Sequence, residues 1–150
     1  MRIRAATIAD VPRVVDLGAS FIAQTSYQTL LPVNRDQMTA LVERLIGSED
    51  AAVLVLETMD AVIGMIAMYC FAHPISGERV ASEVFWWVEP AARGGGLKLL
   101  AAAEAWAEAQ GAVVCQMIAP TPAVERVYHR RGYVPVERLY QRRVSRRVAA

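Results

Sequence analysis

The stretch Glu83-Val84-Phe85-Trp86-Trp87-Val88-Glu89-Pro90-Ala91-Ala92-Arg93-Gly94-Gly95-Gly96-Leu97-Lys98-Leu99-Leu100 carries most of the information in this chain. Its first six residues are β-branched or aromatic around one acid, which predicts a strand that ends at Pro90. After the glycines comes an Ala-rich run, a helix from Leu97 to Gln110 stopped by Gly111. Three successive glycines between a strand and a helix let backbone N–H groups turn toward one point without a Cβ in the way. The positive end of the helix dipole favours an anion at that point, and Arg93 and Lys98 flank it with charge. A phosphate-binding corner is therefore expected, with a plain flexible turn as the alternative. Two widespread phosphate loops fail on spacing. Lys98 is followed by Leu99 rather than Ser or Thr, and Leu99 stands where a dinucleotide fingerprint needs a third Gly or Ala.

Upstream of this corner, Ile3 to Thr7 reads as a strand. Thr7 or Asp10 then caps a helix to about Ser20, with Pro12 in its first turn. Periodicity fails over Phe21 to Asn34 and resumes at Arg35, where Met38, Leu41, Val42 and Leu45 share a helix face until Gly47. Ala52 to Glu57 and Val62 to Phe71 predict a hairpin, and Val80 to Val88 a third antiparallel strand. Downstream, Val113 to Met117 is a short strand, and Thr121-Pro122 is a cap and first-turn proline that opens a helix through about Arg131, ended by Gly132. Tyr133 to Val136 and Leu139 to Val144 alternate as closing strands. The order β-α-α-β-β-β-α-β-α-β-β predicts a mixed α/β (α+β) chain with helices on both faces of the sheet.

The 150 residues, 55% of them apolar and 21% charged, favour one domain spanning 1–150 and exclude a disordered chain. The uncharged stretch from Ala61 to Gly77 is interrupted by Gly64, His73 and Pro74, too short for a membrane span, so no membrane partner is expected. The opening residues lack the apolar run of a secretion signal, and a cytoplasmic location follows as the default. Cys70 and Cys115 are far apart with no metal-ligand spacing, which predicts reduced core thiols and no metal. His73 and His129 read as surface residues. From Arg126 onward there are eight arginines against the single acid Glu137. A phosphate-bearing ligand or a solvated basic end accounts for Arg142, Arg143, Arg146 and Arg147. No nucleic-acid partner is expected, since no recognised RNA, helix-turn-helix or zinc pattern accompanies them.

The corner resembles the acetyl-CoA loop of the GNAT N-acetyltransferase superfamily, V-x-P-x-x-R-G-x-G, matched here by Val88, Pro90, Arg93, Gly94 and Gly96. Lys98 departs from the pattern by standing where the family usually has Gly or Ala. A second family signature, a helix ending in Tyr-x-x-x-Gly-Phe/Tyr, is matched by Tyr128, Gly132 and Tyr133, with Thr121 in the place of a frequent Asn. The likeness covers most of the chain, and the Glu-x-Phe-Trp-Trp-Val strand is similar to phage- and prophage-type members. The resemblance implies the GNAT fold, a mostly antiparallel sheet in which two parallel strands splay apart, here Val80 to Val88 and Val113 to Met117. It implies acetyl-CoA as cosubstrate, held by Trp87, Val88, Arg93, Gly94, Gly95, Gly96, Leu97, Lys98 and Thr121. It also implies a small-molecule or peptide amine as acceptor, Tyr128 as general acid toward the departing sulfur, and a backbone N–H near Val88 facing the thioester oxygen.

Glu83 is independently conspicuous. An acid on an apolar strand is costly unless it meets water or a partner. The resemblance makes it a candidate general base, and an exposed or Arg-paired Glu is the alternative. Trp86 and Trp87 must point to opposite faces of their strand, one entering the core and one facing an acceptor cleft. Gln24, Ser26 and Tyr27 in the irregular Phe21 to Asn34 segment are candidates for the cleft's other wall. A non-catalytic CoA-binding module on the same fold is the rival reading, and the apolar content with the closing strands leaves room for a homodimer.

Overall fold

The computed structural model describes residues 1–26, 30–59 and 61–145, leaving aside the side chain of Arg93. Five strands form one sheet in the order β1 (Arg2–Ala5), β2 (Ala51–Glu57), β3 (Val62–Ala72), β4 (Arg79–Val88) and β5 (Val114–Gln116). The first four pair antiparallel and β4 pairs parallel with β5. The helices are α1 (Val11–Ala23), α2 (Arg35–Ile46), α3 (Gly96–Ala109) and α4 (Pro122–Arg130). Among the described residues no helix is long and apolar enough to cross a membrane.

Central β3 shows why the sheet is covered on both sides. Met65, Ile66, Ala67 and Met68 are all fully buried, a continuous apolar run that only a two-faced core accommodates. The strand period of two divides them: Met65 and Ala67 join Val14, Leu17, Phe21, Val42 and Leu45 under α1 and α2. Ile66 and Met68 join Leu99, Ala103 and Ala107 under α3. Each helix end has a local cause. Thr7 donates its backbone N–H to the Asp10 carboxylate at 2.7 Å ahead of α1, and Asn34 accepts from the Gln37 amide at 3.0 Å ahead of α2. Arg13 in the first turn of α1 donates to the Val62 carbonyl at 2.8 Å and to the Glu89 carboxylate, so that turn is held to the start of β3 and the end of β4.

The end of α4 explains its sequence signature. Gly132 adopts φ +85°, its N–H bonds the His129 carbonyl at 3.2 Å, and the Tyr133 N–H reaches back to the Tyr128 carbonyl at 3.0 Å. These are the two bonds of a Schellman cap, and the rings of Tyr128 and Tyr133 supply its apolar contact at 5.2 Å between centroids. Tyr133 is further moored through its hydroxyl to Glu104 of α3 at 3.0 Å.

Two features position the site. In β4, Ala67 faces Phe85 while Met68 faces Glu83, so Val84 is an extra residue, a bulge. Pairing of β4 with β5 covers only Val80, Ala81 and Ser82, and from Glu83 to Val88 that edge of β4 has no strand beside it among the described residues. The parted parallel pair is as the resemblance implies. The expected closing strands are not formed: Tyr133 to Val136 and Leu139 to Val144 are irregular, with Val134, Val136, Leu139, Tyr140 and Val144 largely exposed. Their alternation is real, but a strand also needs an edge to bond, and β5 is three residues long.

Pro90 to Gly95 form 3-10 turns that run straight into α3, and none of the three glycines has a positive φ. Two of them are needed for closeness. A Cβ on Gly95 would overlap Leu56 Cδ2 of β2, and one on Gly96 would lie 3.3 Å from the Trp86 ring, whereas one on Gly94 would meet open space. Gly95→Ala should therefore cost about 1 to 3 kcal/mol by overpacking against fully buried Leu56. Gly94→Ala should be neutral or slightly stabilising, and urea unfolding of the two variants side by side checks this.

Candidate active site

Glu83 sits at the residue where β4 loses its partner, and it is 5% exposed, the one charged residue among those described as buried. Its Oε2 accepts from the Ile118 backbone N–H at 3.1 Å and from the Tyr128 hydroxyl at 3.2 Å. That hydroxyl is also 3.1 Å from the Ile118 carbonyl. Glu83, Tyr128 and the Ile118 peptide thus form a closed polar cluster in an apolar surrounding. The Trp86 ring lies 6.0 Å from that of Tyr128 and against Gly96, which places it between the cluster and the glycine corner. The Trp86 indole N–H is buried without a hydrogen-bond partner among the described residues. Trp87 turns to the other face, where its ring packs 6.2 Å from Phe21 of α1.

The residues expected to hold the cofactor lie at the end of β4, the start of α3 and the cap of α4, and the Trp87 ring lies on the face of β4 opposite to that of Trp86. Val88 closes β4 and is buried, Gly95 and Gly96 are buried at the start of α3, and Gly94, Leu97 and Lys98 are exposed around it. Thr121 caps α4, its hydroxyl oxygen accepting from the Val124 N–H at 3.4 Å. The Arg93 side chain, Tyr27, Arg146 and Arg147 lie outside the described residues. His73 and His129 make local contacts only, His129 to Glu125 one turn away at 3.7 Å. The corner suits a phosphate-bearing ligand: the Gly94 approach is open, and no side chain caps the start of the helix that follows.

The model of the Acetyltransferase (GNAT) family matches residues 22–133. The chain belongs to the GNAT acetyltransferase family. No curated protein matches it significantly. Among solved structures, the GCN5-related N-acetyltransferase from Ralstonia eutropha is similar at 19% identity and TM-score 0.78, with 96% of this chain and 99% of that one covered. The transcriptional regulator from Bacillus halodurans matches at 19% identity and TM-score 0.77, over 95% and 98%. The aminoglycoside antibiotic 6'-N-acetyltransferase from Acinetobacter haemolyticus matches at 18% and 0.71, over 97% and 100%. At these identities the likeness concerns the GNAT fold alone.

Burial dominates the electrostatics of this GNAT cluster. Loss of hydration pushes the Glu83 carboxyl up to about 7, against the smaller opposing pull of the Ile118 and Tyr128 hydrogen bonds. Burial, then the nearby Glu83 charge, lifts the Tyr128 phenol well above the ordinary tyrosine range, so it stays protonated. One phenolic proton cannot serve two acceptors. With Glu83 ionised it goes to the carboxylate; with Glu83 protonated, the acid can donate to the phenol oxygen while the phenol donates to the Ile118 carbonyl. The thiol of Cys115 is also raised by burial and lies 3.6 Å from the Tyr133 hydroxyl, whose single proton is shared with the nearer Glu104.

The Ile118 backbone escaped the sequence reading, since a main-chain group carries no side-chain signal. Alternation put Trp86 and Trp87 on opposite faces without saying which is which, and the structure turns Trp86 toward Tyr128. The raised Glu83 carboxyl also gives a stability prediction. A group whose folded pKa lies above its unfolded value stabilises the fold at low pH and loses that contribution as pH rises through the folded value. Glu83→Gln, which keeps an acceptor for Ile118 and a donor for Tyr128, should therefore gain over the parent as pH rises from 5 to 8, approaching about 3 kcal/mol. Urea unfolding at both pH values measures it.

Proposed function

We propose that this chain is a single acyltransferase domain, residues 1–150, that transfers an acetyl or similarly small acyl group from CoA to a primary amine by direct attack in a ternary complex. The reading rests above all on one observation: a buried carboxyl and a buried phenol in hydrogen-bond contact, 3.2 Å apart, beside the stretch of β4 that has no neighbouring strand. Family membership supports acetyl transfer, and the name of the Acinetobacter haemolyticus neighbour supports an amine acceptor.

Acetyl-CoA would supply an activated acyl thioester. Gly94, Gly95, Gly96, Leu97 and Lys98, with Arg93, would hold its diphosphate through main-chain amides and positive charge. The free edge of Trp87 and Val88 would bond the pantetheine arm as a strand does, and Thr121 would contact it from α4. A backbone N–H near Val88 would donate to the thioester oxygen as charge builds there. Glu83, as carboxylate, would accept the proton that the acceptor ammonium must lose, directly or through a water. Tyr128, as neutral phenol, would deliver a proton to the sulfur. The contact between them lets Tyr128 be recharged from Glu83, so one of the two protons that the ammonium nitrogen loses passes to the thiol while the other is released to solvent.

The similarity to the Bacillus halodurans transcriptional regulator, together with Lys98 at a position where small residues are usual, favours as a second reading a CoA-binding module without turnover. Thiol release from acetyl-CoA with pooled amines distinguishes the two, since a module of that kind would show only a thermal shift with CoA. For the enzyme, Tyr128→Phe should lower kcat about 100-fold with CoA affinity retained. The parent's kcat/KM should rise with pH through about 7 as Glu83 ionises, and Glu83→Gln should lose that limb. A Tyr128→Phe enzyme with parental kcat would remove the acid from the scheme.

A further inference from the structure

The chain's basic end forms one wall of a cavity that the reaction scheme leaves without a role. Phe21, near the end of α1, packs on Trp87, so the connection to α2 leaves beside the stretch of β4 that lacks a neighbour. Where that connection is next described, at Leu30 and Leu31, it meets Tyr140 to Ser145 of the C-terminal segment across a cavity of about 490 Å³. The segment starts from Tyr133, whose hydroxyl is held at Glu104 of α3. Arg143 bonds the Leu30 carbonyl at 3.2 Å, which joins the two walls.

The chemistry of the lining is one-sided. Leu30, Leu31 and Tyr140 are apolar or aromatic, Arg142 and Arg143 are cationic, and among the described residues no acid lines the cavity. Neither arginine has a carboxylate partner among the described residues, in contrast to Arg4, Arg13, Arg35, Arg79 and Arg131, each of which is ion-paired. Two guanidinium groups beside apolar walls attract carboxylate or phosphate in their planar, bidentate geometry and repel a second cation.

We propose that this cavity selects the acceptor, favouring amines that carry a carboxylate or phosphate close to the amine and disfavouring polycations. The inference rests on the transferase reading, naming the class of acceptor for the same site. It is tested with peptides sharing one free N-terminal amine, with acidic, phosphorylated or neutral residues at the second and third positions, beside spermine, reading thiol release from acetyl-CoA. The acidic or phosphorylated peptide should exceed the neutral one about tenfold or more in kcat/KM, with spermine slowest, and which of the two anions leads identifies the source of the charge. Arg142→Gln with Arg143→Gln should collapse the ranking mainly through KM, and the Glu pair should shift it toward spermine. Equal use of neutral and acidic peptides, spermine as best acceptor, or a ranking indifferent to both arginines would overturn the proposal. If no acceptor turns over, the transferase reading fails on its own, and equilibrium binding to the CoA-loaded protein decides for the cavity. Salt-sensitive binding of the acidic or phosphorylated peptide that is lost in the double Gln variant supports it; no binding, or binding unchanged in that variant, overturns it. Arginine-dependent retention on an RNA oligonucleotide without peptide binding would also overturn it.

Discussion

One extra residue in β4 sets the geometry of everything around it. A bulge at Val84 bends the strand and increases its twist, and β4 and β5 stop pairing two residues before it, at Ser82. An uninterrupted pair would have continued the ladder upward and filled the space that the site occupies. The bulge also falls immediately after Glu83, so the acid stands at the fork between the two strands rather than in the middle of a sealed sheet. Glu83 and the free edge of β4 are therefore one feature seen from two sides.

The position of Tyr128 has a separate origin. The Gly132 turn reverses the chain and bonds it back to the last turn of α4, and Tyr133 then packs its ring on Tyr128 and bonds Glu104. The hydroxyl of Tyr128 is held from behind by a cap whose backbone geometry only glycine adopts easily. From the front it is held by the Ile118 peptide and Glu83. A buried carboxyl of this kind weakens the fold at neutral pH, and its presence among Phe, Trp and Tyr rings fits the general pattern in which costly buried charge gathers at functional sites.

Much of this was readable in the chain because local rules and tertiary demands agree. The β-branched runs of β2 to β4, the Thr121-Pro122 cap and the Gly111 and Gly132 stops act within a few residues of themselves, and the helices start and end near the expected places. Glu83 stood out because an acid in such a strand needs a reason. The tri-glycine corner carries a second reason that the chain alone does not display: Gly95 and Gly96 are small so that Leu56 and Trp86 can approach. What escaped depends on partners distant in sequence. Strand character in Tyr133 to Val144 requires an edge that the three-residue β5 does not extend far enough to offer. The Ile118 peptide becomes informative only when the fold brings residue 118 to residue 83.

The arrangement around Arg13 bears on how such a molecule breathes. A single guanidinium fastens the leading turn of α1 to both the root of β3 and the tip of β4, while near the trailing end of the same helix Phe21 packs on Trp87 and into the core shared with α2. Loosening that guanidinium would release the leading turn of α1 from two strands at once, so a change at Arg13 would be felt at the end of β4 as well as at the root of β3.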